Sequence, residues 1–223
     1  MIPLLLILIA ALSYGLGALS SAMLLSKFVF HKDLSKLGSR RVNYANFVRV
    51  FGTKWGPAAL AVDVLKAAVA VLAGGLIMLI VDSDGSYVTV GRLFAGFCAV
   101  LGDMYPVQHQ FRGGKGTASC ITALWLSDWR VGLVATGVFV IVVAFSQYVS
   151  LAGMAACFAG ALATWLFTAS EDLRGLCGTL AFITALLIIW RHRGSIFHIL
   201  EHREPKVKWG RSQTDRRMRE DKF

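Results

Sequence analysis

Charged residues are scarce in this sequence. They make up 16% of the 223 residues, whereas hydrophobic residues make up 56% and the mean hydropathy is +0.62. A soluble domain of this length needs far more polar surface, because most of its outer positions face water. The composition therefore excludes an ordinary soluble domain and predicts an integral membrane protein.

Cysteine is also scarce, and no Cys-x-x-Cys pair occurs. The four cysteines all lie within apolar runs, at Cys98, Cys120, Cys157 and Cys177. Isolated cysteines in such runs are typical of small packing residues, which argues against a disulfide or metal role. We expect neither a metal nor a cofactor.

Acidic residues are few as well, with 13 Asp and Glu against 23 Lys and Arg. The basic residues cluster: residues 27–54 hold seven of them and one acid, and the chain from Arg191 onward holds ten basic residues and five acids. In a membrane-embedded chain, such clusters face anionic head groups or anionic substrates. We expect no nucleic-acid partner.

Seven apolar runs predict the topology, and the longer ones suffice for a span of about 20 residues. If residues 117–148 were one span, the loop before them and the C-terminal tail would lie on opposite sides of the membrane. Counting the short run as its own helix places every basic segment on one side, as the positive-inside rule requires. The sequence thus predicts an all-α polytopic membrane protein of seven transmembrane helices, one of them short, with the N-terminus outside and the C-terminus cytoplasmic. The runs are 2–25, 56–81, 88–107, 117–127, 131–148, 151–169 and 174–190.

The two ends of the chain are interpreted from charge. The first run has no basic residue before Lys27, which favours an uncleaved first span over a cleaved signal peptide. We expect a membrane domain over residues 1–192, with its site on the cytoplasmic face, and a basic cytosolic tail over 193–223. The loops assigned to the outside contain acidic residues, namely Asp82, Asp84, Glu171 and Asp172.

A glycine-rich basic loop over residues 102–117 interrupts the apolar runs. Arg112 and Lys115 flank three glycines, Gly113, Gly114 and Gly116. Cations beside a backbone that can bend closely around a ligand predict an anion cradle, most simply for phosphate. The loop is not a Walker A motif, because glycine follows the lysine. The alternative is a solvated connector whose cations only mark the cytoplasmic side.

Four other polar segments fall on the predicted inner face, at 38–49, 63–66, 146–150 and 191–193. Asp63 and Lys66 are three residues apart on one helix, where they can form an ion pair, and that pair could be purely structural. Ser150 could bind a ligand or could simply be the N-cap of a helix. His192 could be a functional base or a cation that stabilises a helix end.

In order along the chain, these segments resemble the bacterial acyl-phosphate-dependent glycerol-3-phosphate acyltransferases, the PlsY family. The likeness covers nearly the whole chain and depends on the ordered set, since Gly-Gly-Lys-Gly alone is weak. It implies a seven-helix inner-membrane enzyme that transfers an acyl group from acyl phosphate to the 1-hydroxyl of glycerol 3-phosphate, giving lysophosphatidic acid for phospholipid synthesis. The matching segments are a basic Gly-Ser loop ending in Asn-x-x-Arg, Asp-Val-Leu-Lys, Gly-x-x-x-Pro before Gly-Gly-Lys-Gly, Gln-Tyr-Val-Ser-Leu, and Glu-Pro-Lys-Val-Lys at 204–208.

The resemblance also implies the site residues. Arg49 and Lys115 would hold phosphate dianions, and Lys115 would stabilise the departing phosphate. The proton acceptor would be the acyl phosphate's own oxygens or, as a second choice, His192. The implied catalytic residues are Lys115, Ser39 and His192, and the implied substrate-binding residues are Arg49, Asn46, Ser150, Gly113, Gly114, Gly116 and Arg112.

The implied partners are acyl phosphate, glycerol 3-phosphate and membrane lipids, with the soluble enzyme that produces acyl phosphate as a candidate protein partner. We expect a monomer in the bacterial cytoplasmic membrane. No metal or covalent intermediate is required, because acyl phosphate is already activated. The His-x-x-x-x-Asp acyltransferase box is absent, which argues against a coenzyme A-dependent enzyme of the soluble or peripheral type.

The chain also departs from the family pattern. Arg40 and Asn43 replace two glycines of the first loop, Asp103 stands where His is usual, and Ser195 stands where Asn is usual. Side chains in place of glycine restrict a loop that must approach its ligand closely. This departure supports an alternative, a non-catalytic relative that binds lipid or glycerol phosphates. A transporter is disfavoured, because the second apolar run has almost no ionisable residues beyond Lys66.

Overall fold

The computed structural model describes residues 2–81, 84–168, 171–204 and 206. Every regular element within these ranges is helical, and short 3-10 turns lie at 34–36, 53–55 and 107–109. The helices are α1 Ile2–Ala18, α2 Ser21–Phe28, α3 Tyr44–Phe51, α4 Gly56–Val81, α5 Val88–Met104, α6 Thr117–Ser127, α7 Trp129–Ser146, α8 Val149–Phe167, α9 Glu171–Arg191 and α10 Arg193–Leu200.

Five helices of the described chain are long and apolar enough to cross a membrane: α4, α5, α7, α8 and α9. Helices α1 and α2 make a sixth candidate when taken together, although they are bent by 53°. Helix α6 is apolar but only 11 residues long. The predicted all-helical, multi-pass membrane protein is therefore confirmed, and six of the predicted runs contain a candidate span.

The predicted break between the short fourth run and the fifth run is also confirmed. Asp128 separates α6 from α7 with an extended backbone, and its carboxylate accepts a hydrogen bond from the N–H of Arg130 at 2.8 Å. An N-cap of this kind satisfies a backbone donor that the new helix leaves unpaired. Of the acidic residues expected in outer loops, Asp84 lies in the α4–α5 loop. Asp82 and the side chains of Glu171 and Asp172 lie outside the described residues.

Close approach of small residues determines how the first helix packs. Helix α1 lies along α5, and a Cβ added at Gly17 would collide with the carbonyl of Ala99. A Cβ at Gly102 would collide in the same way with the carbonyl of Tyr14. Membrane helices that lack a hydrophobic driving force between them commonly associate through such small-residue contacts. The two glycines therefore fix the end of α5 against α1.

Both the interior and the outer surface of the molecule are largely apolar. Its largest buried cluster joins α5, α6, α7, α8 and α9, and all four cysteines are buried. Large apolar side chains also cover the outside of the long helices, as an acyl-chain environment requires. Examples with more than half of their surface exposed are Leu76, Ile80, Phe145 and Leu166.

Hydrogen bonds show which connections lie at the same end of the bundle: the α5–α6 loop contacts the start of α8, and Lys66 of α4 contacts Asp103 at the end of α5. The end reached by α5, α7 and α9, from which α4, α6 and α8 start, carries the polar segments, and we call it the polar end. Hydrogen bonds between the α5–α6 loop, α8 and α10 join these connections into one site.

Candidate functional site

Lys115 is the centre of the polar end. It lies in the α5–α6 loop, and its Nζ donates hydrogen bonds to Ser150 Oγ at 2.9 Å and to Ser195 Oγ at 2.8 Å. Both hydroxyls are buried and belong to different helices, α8 and α10. The N-cap interpretation of Ser150 is wrong, because Tyr148 occupies that position and Ser150 is the second residue of α8. Its side chain is free to turn toward Lys115.

A carboxylate completes this group. Ser150 Oγ donates to Glu204 Oε1 at 2.6 Å, and the two serine hydroxyls are 3.4 Å apart. We call Lys115, Ser150, Ser195 and Glu204 the Lys115 cluster. Of the segment at 204–208, Pro205, Val207 and Lys208 lie outside the described residues. The cluster thus combines an ammonium group, two hydroxyl groups and a carboxylate that is bound through Ser150.

The electrostatics of Lys115 reflect this position. Lys115 is an exposed residue, yet partial desolvation of its ammonium group lowers its pKa below the usual value for lysine. The negative charge of Glu204 opposes the shift, while the positive charge of Arg191 adds to it. The positive charge of Lys115 is therefore only partly screened by water.

His192 lies beside the cluster, where α9 ends. It is 2% exposed, and its Nδ1 lies 2.8 Å from the carbonyl oxygen of Ile188. Its pKa is lowered to about 4, chiefly by burial; the carbonyl contact opposes this shift, and the positive charge of Lys115 contributes to it. The imidazole is therefore neutral at pH 7, so His192 does not serve as a helix-end cation. With Nδ1–H donating to the carbonyl, the lone pair lies on Nε2.

The glycine-rich loop is held by hydrogen bonds from two sides. Arg191 donates from Nε to the carbonyl of Gly114 at 3.1 Å and from Nη2 to the carbonyl of Gly113 at 3.0 Å. The N–H of Gly114 donates to the carbonyl of Asp103 at 2.8 Å, and Gly116 is left-handed at φ 74°. Arg112 is exposed, and its side chain has no hydrogen bond or ion pair within the described ranges. The loop is therefore a fixed structure with one outward-facing arginine.

The predicted pair of Asp63 and Lys66 is confirmed. The Nζ of Lys66 lies 2.8 Å from Asp63 Oδ1 and also donates to Asp103 Oδ1 at 2.8 Å. The negative charge that Asp103 adds near the loop is therefore directed at an ammonium group. The second oxygen of Asp103 accepts from the N–H of Gly116 at 3.0 Å. This ion-pair network joins α4 and α5 directly to the glycine-rich loop.

A second part of the polar end is the segment 37–49, which we call the Asn46 segment. Asn46 is 1% exposed, and its Nδ2 donates to the carbonyls of Leu37 and Arg41 at 3.0 and 2.9 Å. Its Oδ1 accepts from the N–H of Ser39 at 2.9 Å. All of these contacts lie within the segment, so the amide of Asn46 shapes the loop that presents Ser39.

Ser39 and Arg49 are both exposed on this segment. Within the described part of the chain, neither side chain makes a hydrogen bond or ion pair, and no contact joins them to Lys115. The structure thus brings Lys115, Ser150, His192 and the three glycines together, and leaves Ser39, Asn46 and Arg49 as a separate group. No group of three His, Cys, Asp or Glu residues in the described ranges is arranged to hold a metal ion.

Comparison with known proteins identifies the family. A family model described as glycerol-3-phosphate acyltransferase matches residues 7–202. The chain belongs to the glycerol-3-phosphate acyltransferase family. Among curated relatives, the glycerol-3-phosphate acyltransferase of Geobacillus kaustophilus is 37% identical, over 91% of this chain and 96% of its own. That of Listeria welshimeri is 34% identical, over 92% and 98% respectively.

Solved structures show the same membership. Crystal structures of PlsY, an integral membrane glycerol 3-phosphate acyltransferase, are 28% identical to this chain and cover 91% of it. The glycerol 3-phosphate form superposes with a TM-score of 0.73 and the lysophosphatidic acid form with a TM-score of 0.71. The matches cover 96% and 95% of the two solved chains.

Sequence reasoning missed four residues of the site in this member of the acyltransferase family. Ser195 and Asp103 were recognised only as departures from the family pattern, Arg191 only as a basic helix end, and Glu204 only as part of a C-terminal motif. The spacing of three between His192 and Ser195 was a usable signal, because residues so spaced share a helix face. Nothing in the sequence placed Arg191 or Glu204 against the α5–α6 loop.

Proposed function

We propose that this chain transfers the acyl group of acyl phosphate to the 1-hydroxyl of glycerol 3-phosphate, giving lysophosphatidic acid for phospholipid synthesis. Family membership supports the proposal, and so do similar structures of PlsY that are described as glycerol 3-phosphate and lysophosphatidic acid forms. The observation that carries it is the Lys115 cluster, in which two hydroxyls from different helices converge on one ammonium group and one of them also binds a carboxylate.

The phosphate of the acyl donor fits this cluster. Glu204 already places a carboxylate oxygen on Ser150, so the cluster accepts a negatively charged oxygen. A phosphate dianion offers more negative charge and more acceptor oxygens, and it can bind Lys115, Ser150 and Ser195 at once. We therefore place the phosphate of acyl phosphate at Lys115, where it displaces the carboxylate of Glu204.

In the reaction, the oxygen of the glycerol hydroxyl attacks the acyl carbonyl carbon. A new carbon–oxygen ester bond forms, the bond between that carbon and the phosphate oxygen breaks, and phosphate leaves with the bonding electrons. Negative charge grows on the departing phosphate, which is where the charge of Lys115 is most useful. Partial desolvation strengthens this interaction relative to one in bulk water.

The hydroxyl proton also needs an acceptor. With a pKa of about 4, His192 is a weak base, whereas the departing phosphate gains basicity as the reaction proceeds. We assign the proton to the phosphate oxygens. His192 then serves as a neutral hydrogen-bonding group at the edge of the cluster.

Glycerol 3-phosphate needs a second anion site. Arg49 presents an exposed guanidinium without a protein partner in the described chain, and this planar fork suits a phosphate dianion. We propose that Arg49 binds that phosphate, that Ser39 and the backbone shaped by Asn46 orient the glycerol, and that Arg112 adds long-range attraction. Gly113, Gly114 and Gly116 let the α5–α6 loop lie close to the donor.

We further propose seven membrane helices, counting α6 as the short one, with the N-terminus outside and the polar end cytoplasmic. Residues 1–192 would form the membrane domain and 193–223 a basic tail, whose first helix, α10, contributes Ser195 to the site. The protein would be a monomer in the bacterial cytoplasmic membrane. It would receive acyl phosphate from a soluble enzyme that makes it. The distribution of basic residues supports this orientation.

A turnover assay on the purified protein in lipid tests the activity. Palmitoyl phosphate and labelled glycerol 3-phosphate are supplied to the wild type, to Lys115→Ala and to Lys54→Ala, which removes an exposed lysine outside the cluster. We expect lysophosphatidic acid from the wild type and the control, and at least about a 100-fold loss in Lys115→Ala. Bound glycerol 3-phosphate without product in the wild type would instead indicate the non-catalytic relative.

A further inference from the structure

Asp103 lies at the end of α5, and its oxygens bind partners in different parts of the fold. Oδ1 accepts from the Nζ of Lys66 at 2.8 Å, whereas Oδ2 accepts from the N–H of Gly116 at 3.0 Å. Its main-chain carbonyl accepts from the N–H of Gly114 at 2.8 Å. Asp103 thus contacts the loop on both sides of Lys115.

The other end of this connection is rigid. Lys66 is 7% exposed, and its Nζ also donates to the carbonyls of Gly17 and Leu19 at 3.1 and 2.9 Å. These carbonyls lie at the bend between α1 and α2, where a helix end leaves acceptors unpaired. Lys66 therefore fixes Asp103 to α4 and to the bend of the first helix pair.

The glycines of the loop match this arrangement. A Cβ added at Gly113 would overlap the carbonyl oxygen of Asp103, and one at Gly114 would lie 2.9 Å from its Oδ2. A side chain at either position would push the loop away from Asp103. The Gly-Gly pair is thus explained by contact with Asp103, in addition to any contact with substrate.

We infer that Asp103 is a positioning residue, which is anchored by Lys66 and holds the Gly114–Gly116 backbone so that Lys115 is directed at the donor phosphate. This inference rests on the proposed function for its catalytic consequence. A misplacement of about 1 Å can lower a rate about 100-fold, because catalytic groups act only from the right geometry. The positioning of the loop by Asp103 is tested separately from turnover, through hydrogen exchange of the loop backbone.

Two variants of the full chain, purified in lipid, distinguish a positioning role of Asp103 from one that only balances the charge of Lys66. Asp103→Asn removes the charge beside Lys66 and weakens the acceptor for Gly116. Asp63→Asn removes an equal charge from the same lysine but has no partner in the loop. The readouts are hydrogen exchange of the loop peptide around residues 110–118, and kcat and KM with acyl phosphate and glycerol 3-phosphate.

We expect Asp103→Asn to raise loop exchange about 10-fold, because a lost contact opens the loop locally. We also expect a fall in kcat of about 10- to 100-fold, with KM for glycerol 3-phosphate changed less than about threefold. Asp63→Asn should leave loop exchange close to that of the wild type. If both variants open the loop equally, Asp103 only neutralises Lys66 and the inference is wrong.

Slower turnover with unchanged loop exchange in Asp103→Asn would also overturn it, because the carboxylate would then act directly in the reaction. If the wild type shows no turnover, the proposed function fails, while the exchange comparison still decides whether Asp103 holds the loop. Gly114→Ala is the second route should Asp103→Asn fold poorly. It displaces the loop from Asp103 and leaves the Lys66 network intact, so the same faster exchange and lower kcat are expected.

Discussion

The two halves of the site are held in very different ways. The Lys115 loop is bound by side chains from four helices, through Asp103 of α5, Ser150 of α8, Arg191 of α9 and Ser195 of α10. The Asn46 segment is shaped mainly by its own hydrogen bonds, within residues 37–46. Under the proposed mechanism, the first half is preorganised for the charge that develops on phosphate, whereas the second can adjust when glycerol 3-phosphate binds.

The Asn46 segment still has an anchor beneath it. Phe30 stacks on Phe51 with ring centroids 4.1 Å apart, and Phe47 packs against both rings. These contacts fix α3 to the end of α2, while Ser39 and Arg49 face outward. The base of the segment is therefore fixed, while the side chains proposed to bind glycerol 3-phosphate are exposed.

The difference between the two halves of the site is tested most severely by the substitution of arginine for Lys115. Lys115→Arg keeps the positive charge, but a planar guanidinium cannot reproduce the two short bonds to Ser150 and Ser195 in the same space. We expect kcat to fall about 100-fold, by the geometric argument that applies to a preorganised group. Steady-state kinetics with acyl phosphate measure this loss. A loss below about threefold would show that charge alone is required and that the cluster is not preorganised.

The converse change at Arg49 should have a smaller effect. Arg49→Lys keeps the charge on an exposed side chain that has no protein contact to lose in the described chain. It replaces a bidentate contact by a point charge, so we expect KM for glycerol 3-phosphate to rise about 10-fold with kcat little changed. Lys54→Arg on the same surface is the matched control. An effect as large as that of Lys115→Arg would mean that both halves are equally constrained.

Local features of the chain could be predicted from the sequence, whereas contacts between distant segments could not. The helical runs could be predicted, because apolar length is a local signal. The separation of the short fourth run from the fifth could be predicted from the distribution of basic residues, by the positive-inside rule. The pairing of Asp63 with Lys66 could also be predicted, since it depends on a spacing of three along one helix. Asp103, Arg191 and Ser195 could not be assigned, because their partners are 13 to 80 residues away in the chain. Which partner each would meet depends on how the helices pack.

Glu204 offers a test through pH. Lys115 must be charged to act, so activity falls as pH rises through its lowered pKa, and the negative charge of Glu204 keeps that pKa from falling further. Glu204→Gln should therefore shift the alkaline limb of kcat/KM to lower pH. It should also strengthen phosphate binding a few-fold at neutral pH, because the competing carboxylate is gone. The control is Glu201→Gln, an exposed carboxylate three residues away. An unchanged alkaline limb would show that Glu204 does not contact the cluster in solution.

The smallest expected effect concerns the backbone of the Asn46 segment. Arg40 has a φ of 58°, in the left-handed region where a Cβ is unfavourable, and it stands where the family pattern has glycine. Arg40→Gly should relieve this strain and stabilise the local fold by about 0.5–1 kcal/mol, after allowing for the greater freedom of glycine in the unfolded chain. Amide exchange over residues 38–46 should slow about two- to fivefold. Arg41→Gly, at a residue without positive φ, should change exchange in the opposite direction. Equal effects of the two substitutions would show that the backbone at Arg40 carries no strain. The replacement of glycine by Arg40 would then not restrict the motion of the Asn46 segment.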